Sequence, residues 1–333
     1  MEQAAAILRG GGLVALPTET VYGLGANALD RAAVERIFVA KRRPAWDPII
    51  VHGSDAEMLC GLAAEIPDSA RLLMKAFWPG PLTLLLPRTA AVPDAVTAGR
   101  PLVGVRMPAH AIALEVIRRA GVPIAAPSAN LFGHIGPTTA AHVLDDLDGR
   151  IDAVLDAGTT AHGVESTVLD PNRSPMQIYR PGAVTLEQIA AIAGPVELYH
   201  GPAKLLETPA EALPSPGVGL RHYAPRARLV LVDGPHGELE SLLAEAARAL
   251  THERVGVMLP AELGAPETLA PARIFAWGRW SAPEELAHRL YAGLRALDDL
   301  DCTVILCPLP PAEGIGAAVR DRLLKAGTKG LGT

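Results

Sequence analysis

Short apolar runs alternate with helix-like stretches twice along this 333-residue chain, on either side of one segment rich in proline and glycine. That double alternation restricts the fold to layered α/β domains. In the first half, Leu13–Pro17, Pro48–His52, Leu82–Pro87, Leu102–Met107, Val122–Pro127, Ala153–Ala157, Thr167–Leu169 and Ile178–Arg180 have strand length and composition. Ala32–Ala40, Ser69–Phe77, Ile112–Ala120 and Ala140–Leu147 space their apolar residues for one face of a helix, the last with Thr138 or Thr139 as N-cap. Between Gly194 and Arg228 the composition shifts, with Pro195, Pro202, Pro209, Pro214, Pro216 and Pro225 set among glycines and charges, which reads as a linker. The second alternation then runs through strands Leu229–Val232, Val255–Leu259, Arg273–Trp277 and Thr303–Cys307. Its helices are Leu239–Leu250, Pro283–Leu297 and Ile315–Lys325, which predicts a small parallel-sheet domain. The expected boundaries are 1–200 for the first domain, 201–227 for the linker and 228–333 for the second.

Composition agrees with two buried cores, since 49% of residues are hydrophobic and 20% charged. No apolar run reaches the roughly 18 residues of a membrane span, and no basic segment leads into an apolar block, so a cytoplasmic protein is expected. The three cysteines are too scattered for a disulfide framework or a tetrahedral metal site. A net charge of −6 argues against a chain that grips nucleic acid, whose affinity comes from phosphate neutralisation. A local basic pocket for a small anion remains open.

Several motifs point to such a pocket. Gly23-Leu24-Gly25-Ala26-Asn27-Ala28 fits a dinucleotide fingerprint poorly, because it does not follow its strand at once and the position about twenty residues on is cationic rather than acidic. Lys41 and Arg43 follow an amphipathic helix, and extended backbone there turns both cations to one side, although a solvated basic helix end is the plainer alternative. Ser128 and Asn130 repeat that spacing after an apolar run, where open α/β sheets bind ligands and where simple turns also occur. Arg106, at a buried strand end, needs an anionic partner. His52 has a similar placement, and Glu165-Ser166-Thr167 and Arg180 add hydroxyls and another cation. Together these residues line a sheet edge suited to a polyanionic small molecule such as a nucleoside triphosphate.

The order and spacing of these motifs resemble the YrdC-type threonylcarbamoyl-AMP synthases. The segments concerned are Pro17-Thr18-Glu19-Thr20-Val21-Tyr22-Gly23-Leu24, Lys41-x-Arg43-Pro44, Pro48–His52, Trp78–Thr83, Val105–Pro108, Ala126–Asn130, Gly163–Thr167 and Arg180–Gly182. Arg221–Pro225 and the second domain resemble the longer Sua-type branch. The resemblance implies a twisted open α/β sheet with a basic concave pocket, plus a smaller Rossmann-like C-terminal α/β domain. It implies an enzyme that converts ATP, L-threonine and bicarbonate to L-threonylcarbamoyl-AMP and pyrophosphate, with Mg²⁺ arriving on ATP and no protein metal site. Partner proteins would then transfer the threonylcarbamoyl group to the tRNA adenosine beside the anticodon, so the synthase itself need not hold tRNA.

By the same resemblance Lys41, Arg43, Ser128 and Asn130 form the catalytic set. Asp47, Gly136, Arg180 and Tyr223 join them around ATP, with Tyr223 covering the nucleotide. Thr20, His52, Arg106, Ala126 and Ser166 form the threonine pocket. Asp47 departs from the Asn usual in the family, Phe132 and Gly136 stand where small hydroxyl residues are common, and Ala157 replaces a frequent Gly. Rival readings are a carbamoyl-adenylating enzyme and a non-catalytic RNA-binding protein.

Overall fold

The computed structural model describes residues 1–200, 213–215, 223–264 and 267–329. It divides into two units, Met1–Phe132 with Gly136–Leu220, and Gly133–Ile135 with Arg221–Thr333. The division falls inside the proline-rich segment. Gly133–Ile135 groups with the second unit, where the Gly133 carbonyl accepts the Ala224 N–H (2.9 Å) and the Ile135 carbonyl accepts Arg295 Nη2 (2.6 Å).

In the first unit the strands are β1 (Val14–Leu16), β2 (Gly23–Asn27), β3 (Ile50–His52), β4 (Leu82–Pro87), β5 (Leu102–Arg106), β6 (Ile124–Ala125), β7 (Ala153–Val154), β8 (Thr167–Asp170), β9 (Met176–Arg180) and β10 (Val196–Leu198). They form one mixed sheet in the order β10-β9-β8-β4-β5-β3-β6-β2-β1-β7. Strand periodicity explains how both faces are buried. Leu13 and Ala15 enter the main core, while Val14 and Leu16 enter a second cluster with Leu8, Val116 and Ile117. That second cluster recruits a helix, Glu2–Arg9, that the sequence reading did not include.

Several strands differ from expectation: Ala153–Ala157 shortens to β7, β10 is an added edge strand, and two further cases have a clear cause. Val122–Pro127 pairs only at Ile124–Ala125, because Pro123 and Pro127 have no N–H to give a ladder. Gly23–Asn27 is a strand and not a phosphate loop. Glycine is needed there for close approach, since a Cβ on Gly25 would stand 2.9 Å from Ile124 Cγ2.

The helix Arg31–Lys41 starts where the Asp30 carboxylate accepts the Ala32 and Ala33 N–H groups, and it stops at Arg42, whose φ is 52°. The Ala140–Leu147 helix is capped by Thr139, which settles the choice between the two threonines.

In the second unit β11 (Arg228–Val232), β12 (Val255–Pro260), β13 (Arg273–Gly278), β14 (Val304–Pro308) and β15 (Thr328–Lys329) make an all-parallel sheet in the order β13-β12-β14-β11-β15. Helices Leu239–Arg248, Pro283–Asp299 and Gly314–Ala326 alternate with it, as the pattern predicted. The Asp298 carboxylate accepts the Arg226 and Ala227 N–H groups at 2.8 and 2.9 Å, fixing where the chain enters β11.

Candidate active site

The alternation that sends Val51, Leu84 and Val105 into the main core turns Ile50, His52, Thr83, Gly104 and Arg106 to the opposite face. A Cβ on Gly104 would meet Thr83, Leu85 and Ile50 side chains, which confirms that these residues share a face. His52 and Arg106 are register partners on the parallel pair β3 and β5. The β1–β2 connection packs against them. Arg106 donates Nη1 to Thr20 Oγ1 (3.0 Å) and Nε to the Gly80 carbonyl (3.2 Å), and Nη2 pairs with Glu19 Oε1 at 2.6 Å.

Arg106 and Glu19 are 3% and 6% exposed, so the pair is desolvated. Burial alone would raise the Glu19 carboxyl, but the Arg106 charge and N–H bonds, including that of Ala109, bring it below the ordinary range. Burial and the nearby Arg106 charge push His52 down to about 3, so its imidazole is neutral at physiological pH. Sequence reasoning picked out Thr20, His52 and Arg106 and gave Glu19 no role. The available signal was a carboxylate one residue from Thr20 in a chain where Arg106 required an anion.

A hydroxyl chain runs beside this group. Thr83 Oγ1 and Ser166 Oγ are 2.8 Å apart, and Arg180 at the end of β9 donates Nη2 to Ser166 Oγ (3.1 Å) and Nε to the Ser166 carbonyl (3.0 Å). Gly182 permits this closeness, because a Cβ there would fall 2.3 Å from the Thr167 nitrogen. The structure therefore joins Ser166, expected near an amino acid, to Arg180, expected near phosphates.

A third group centres on a buried anion. Asp47 is 0% exposed and pairs with Arg43 Nη2 at 2.9 Å. Burial raises its carboxyl, opposed by the charges of Arg43, Lys41 and Arg180. Lys41 is 1% exposed and donates Nζ to the Ser128 and Asn130 carbonyls, each at 2.5 Å. Burial, then the Arg43 charge, hold the Lys41 amine well below its usual value.

Lys41 ends its helix and Arg42 is left-handed, so the two cations do not lie in extended backbone as expected. Both charges nevertheless converge on Asp47. Ser128 and Asn130 meet Lys41 through backbone carbonyls, and the Asn130 amide donates to the Leu131 carbonyl. Phe132, where a small hydroxyl was expected, lies 5.9 Å from the Arg43 guanidinium and packs edge-on against Trp46. Ala126 is buried and bonds its N–H to the Ile50 carbonyl. Gly136 is buried beside Pro137, whose carbonyl accepts the Tyr22 N–H. Ala157 donates its N–H to the Tyr22 hydroxyl at 3.0 Å.

Tyr223 belongs to the second unit and not to these groups. Its ring is buried, stacked on Tyr291 (5.8 Å) and under the Arg322 guanidinium (5.2 Å), with φ at 66°. The neighbours Arg221 and His222, and most of the predicted linker, lie outside the described residues. Among the described residues no cluster of three or more His, Cys, Asp or Glu side chains is disposed to hold a metal ion.

Comparison with known proteins gives concordant matches. Residues 6–182 match a family described as telomere recombination, and residues 184–328 match the C-terminal domain of threonylcarbamoyl-AMP synthase. The threonylcarbamoyl-AMP synthases of Pyrococcus abyssi and Bacillus subtilis are each 44% identical, over 97% of this chain and 92% of theirs. That of Schizosaccharomyces pombe is 36% identical, over 98% of this chain and 88% of its own. The crystal structure of P. abyssi Sua5 complexed with L-threonine superposes with a TM-score of 0.91 at 43% identity, covering 98% of this chain and 93% of that one.

Proposed function

We propose residue roles for a chain that belongs to the two-domain Sua5 family of threonylcarbamoyl-AMP synthases. The chain is an ATP-using adenylyl-transfer enzyme that makes L-threonylcarbamoyl-AMP, a precursor for tRNA modification. One observation carries the residue-level reading. A single unit holds a carboxylate-type fork at Arg106 and a group of three buried cations, Lys41, Arg43 and Arg180, and Ser166 and Thr83 lie alongside Arg180. The first suits an amino-acid carboxylate and the second a triphosphate.

In this reading Arg106, Thr20 and Ser166 hold L-threonine, with neutral His52 and Ala126 shaping its pocket. Lys41, Arg43 and Arg180 neutralise the phosphates of ATP. Gly136 leaves room along the nucleotide, and Asp47 holds Arg43 ready. Lys41, through its two carbonyl bonds, fixes the Ser128–Asn130 loop at the junction of nucleotide and acceptor. The neutral threonine amine bonds to the carbon of bicarbonate, and water leaves to give a carbamate. A carbamate oxygen then bonds to the α-phosphorus as the bond to pyrophosphate breaks. Positioning and charge neutralisation supply the acceleration, with no covalent enzyme intermediate.

Mg²⁺ is assigned to the triphosphate and its waters, because a small hard cation keeps waters and substrate phosphates as ligands and Asp47 is engaged with Arg43. Transfer of the product to tRNA falls to separate proteins, consistent with a net charge of −6. A cytoplasmic enzyme fits three free cysteines. The test is pyrophosphate release from ATP with L-threonine or bicarbonate omitted in turn. Release that persists without threonine would replace this reading with carbamate adenylation.

A further inference from the structure

We propose that Glu19 keeps the place of the substrate carboxylate on Arg106 and, once displaced by it, takes the proton from the substrate ammonium. The inference rests on the reading that L-threonine docks its carboxylate on Arg106.

Each of the three nitrogens of the Arg106 guanidinium already faces an oxygen. These oxygens are the Gly80 carbonyl, Thr20 Oγ1 and Glu19 Oε1. A carboxylate that takes a two-point seat on this buried guanidinium displaces one of them. The Gly80 backbone is fixed, since its N–H bonds the Met107 carbonyl at 2.8 Å, and Thr20 Oγ1 is linked to Thr18 Oγ1 at 2.9 Å. Glu19 is the partner with the same charge as the newcomer, on a flexible side chain. Its backbone carbonyl stays pinned by the His162 N–H at 2.8 Å. Exchanging one carboxylate for another keeps the buried guanidinium paired throughout, which avoids the cost of a lone buried charge.

The displaced carboxylate then lies beside the substrate's amino group, which is separated from the substrate carboxylate by a single carbon. The charged and titratable groups facing Glu19 are Arg106, His52 and His110. His52 and His110 are both held toward neutrality, chiefly by burial. Arg106 is what keeps the Glu19 carboxyl low against its burial. With Arg106 occupied by substrate, burial dominates and Glu19 becomes a base. The ammonium N–H bond breaks, its electron pair stays on nitrogen as the nucleophile, and the proton passes to a Glu19 carboxylate oxygen to give the acid.

The test uses the full chain, with L-threonine titrated by calorimetry without ATP and pyrophosphate release followed as a function of pH. Glu19→Gln keeps the side-chain shape and removes charge and basicity. It is expected to bind L-threonine at least as tightly as the parent chain, while kcat falls about 100-fold and the acid limb of kcat disappears. Glu19→Asp is expected to keep that limb and to recover part of the rate. Parallel loss of threonine affinity and kcat in Glu19→Gln would overturn the proposal in favour of a structural clamp, and an unchanged kcat would overturn the base role. If Glu19→Gln does not fold, Glu19→Asp decides alone. Near-parental affinity with a lowered kcat supports the proposal, and parallel loss refutes it. Threoninol, which lacks the carboxylate, separates the two levels. If the parent chain binds it as tightly as threonine, the Arg106 docking itself is wrong, whatever Glu19 does.

Discussion

Replacing Asp47 by Asn should destabilise the ligand-free chain and enlarge its stabilisation by ATP. Asp47 is fully buried and its carboxylate is 2.9 Å from Arg43, with the charges of Lys41 and Arg180 also acting on it. The substitution keeps the shape and one dipole but leaves three buried cations with one anion fewer. Breaking one partner of a buried pair typically costs about 3–5 kcal/mol, and the remaining dipole places this change near the lower end, about 3 kcal/mol. For a unit of this size that corresponds to a fall in Tm of roughly 6–12 °C. A triphosphate supplies the missing negative charge, so saturating ATP should recover most of the loss, and the KM for ATP should fall. Thermal unfolding with and without ATP measures both quantities. A Tm that is unchanged or raised without ATP, together with an ATP-induced shift equal to the parent's, would refute the role given to this carboxylate.

Ser166→Ala removes bonds from Arg180 (3.1 Å) and Thr83 (2.8 Å) and leaves both groups buried, so it should cost about 2–3 kcal/mol and raise the KM for both L-threonine and ATP. An effect on ATP alone would contradict the shared position of Ser166. For His52, the folded pKa of about 3 lies below the ordinary value near 6.5, so the unfolded chain takes the proton first. Its contribution is therefore intact above pH 6.5 and is lost as pH falls toward 3, by up to about 1.4 kcal/mol per pH unit. His52→Gln should flatten that part of the stability profile in denaturant titrations at pH 7.5, 5.5 and 4.5. A slope matching the parent's would contradict the burial argument.

What could be read from the sequence follows from how locally each feature is specified. The β3 and β5 runs and the Ser69–Phe77 and Ala140–Leu147 helices announce themselves by periodicity, and the structure keeps them within a residue or two. Helix Glu2–Arg9 was missed because its buried face is three small or single apolar residues, Ala4, Ala5 and Leu8, which become a face only against Val116 and Ile117. Strand β2 is obscured by its glycines, whose close approaches, Gly25 to Ile124 and Gly23 to Ala126, are visible only once the run 124–127 is beside it. In the site, cations were legible by type and placement, whereas their counter-ions were not. Asp47 was a departure from a motif and proved to be the centre of the Arg43 group, and Glu19 stood unremarked beside Thr20. Which carboxylate answers which cation is a long-range property. Arg106 finds Glu19 through a sheet register that no local pattern encodes.

The most direct measurement is the mass of the nucleotide product formed from ATP, L-threonine and carbon-13 bicarbonate. The account predicts threonylcarbamoyl-AMP carrying one labelled carbon, formed in step with pyrophosphate and strongly reduced by Arg106→Ala. An unlabelled adenylate, or labelled product formed equally well by Arg106→Ala, would contradict it.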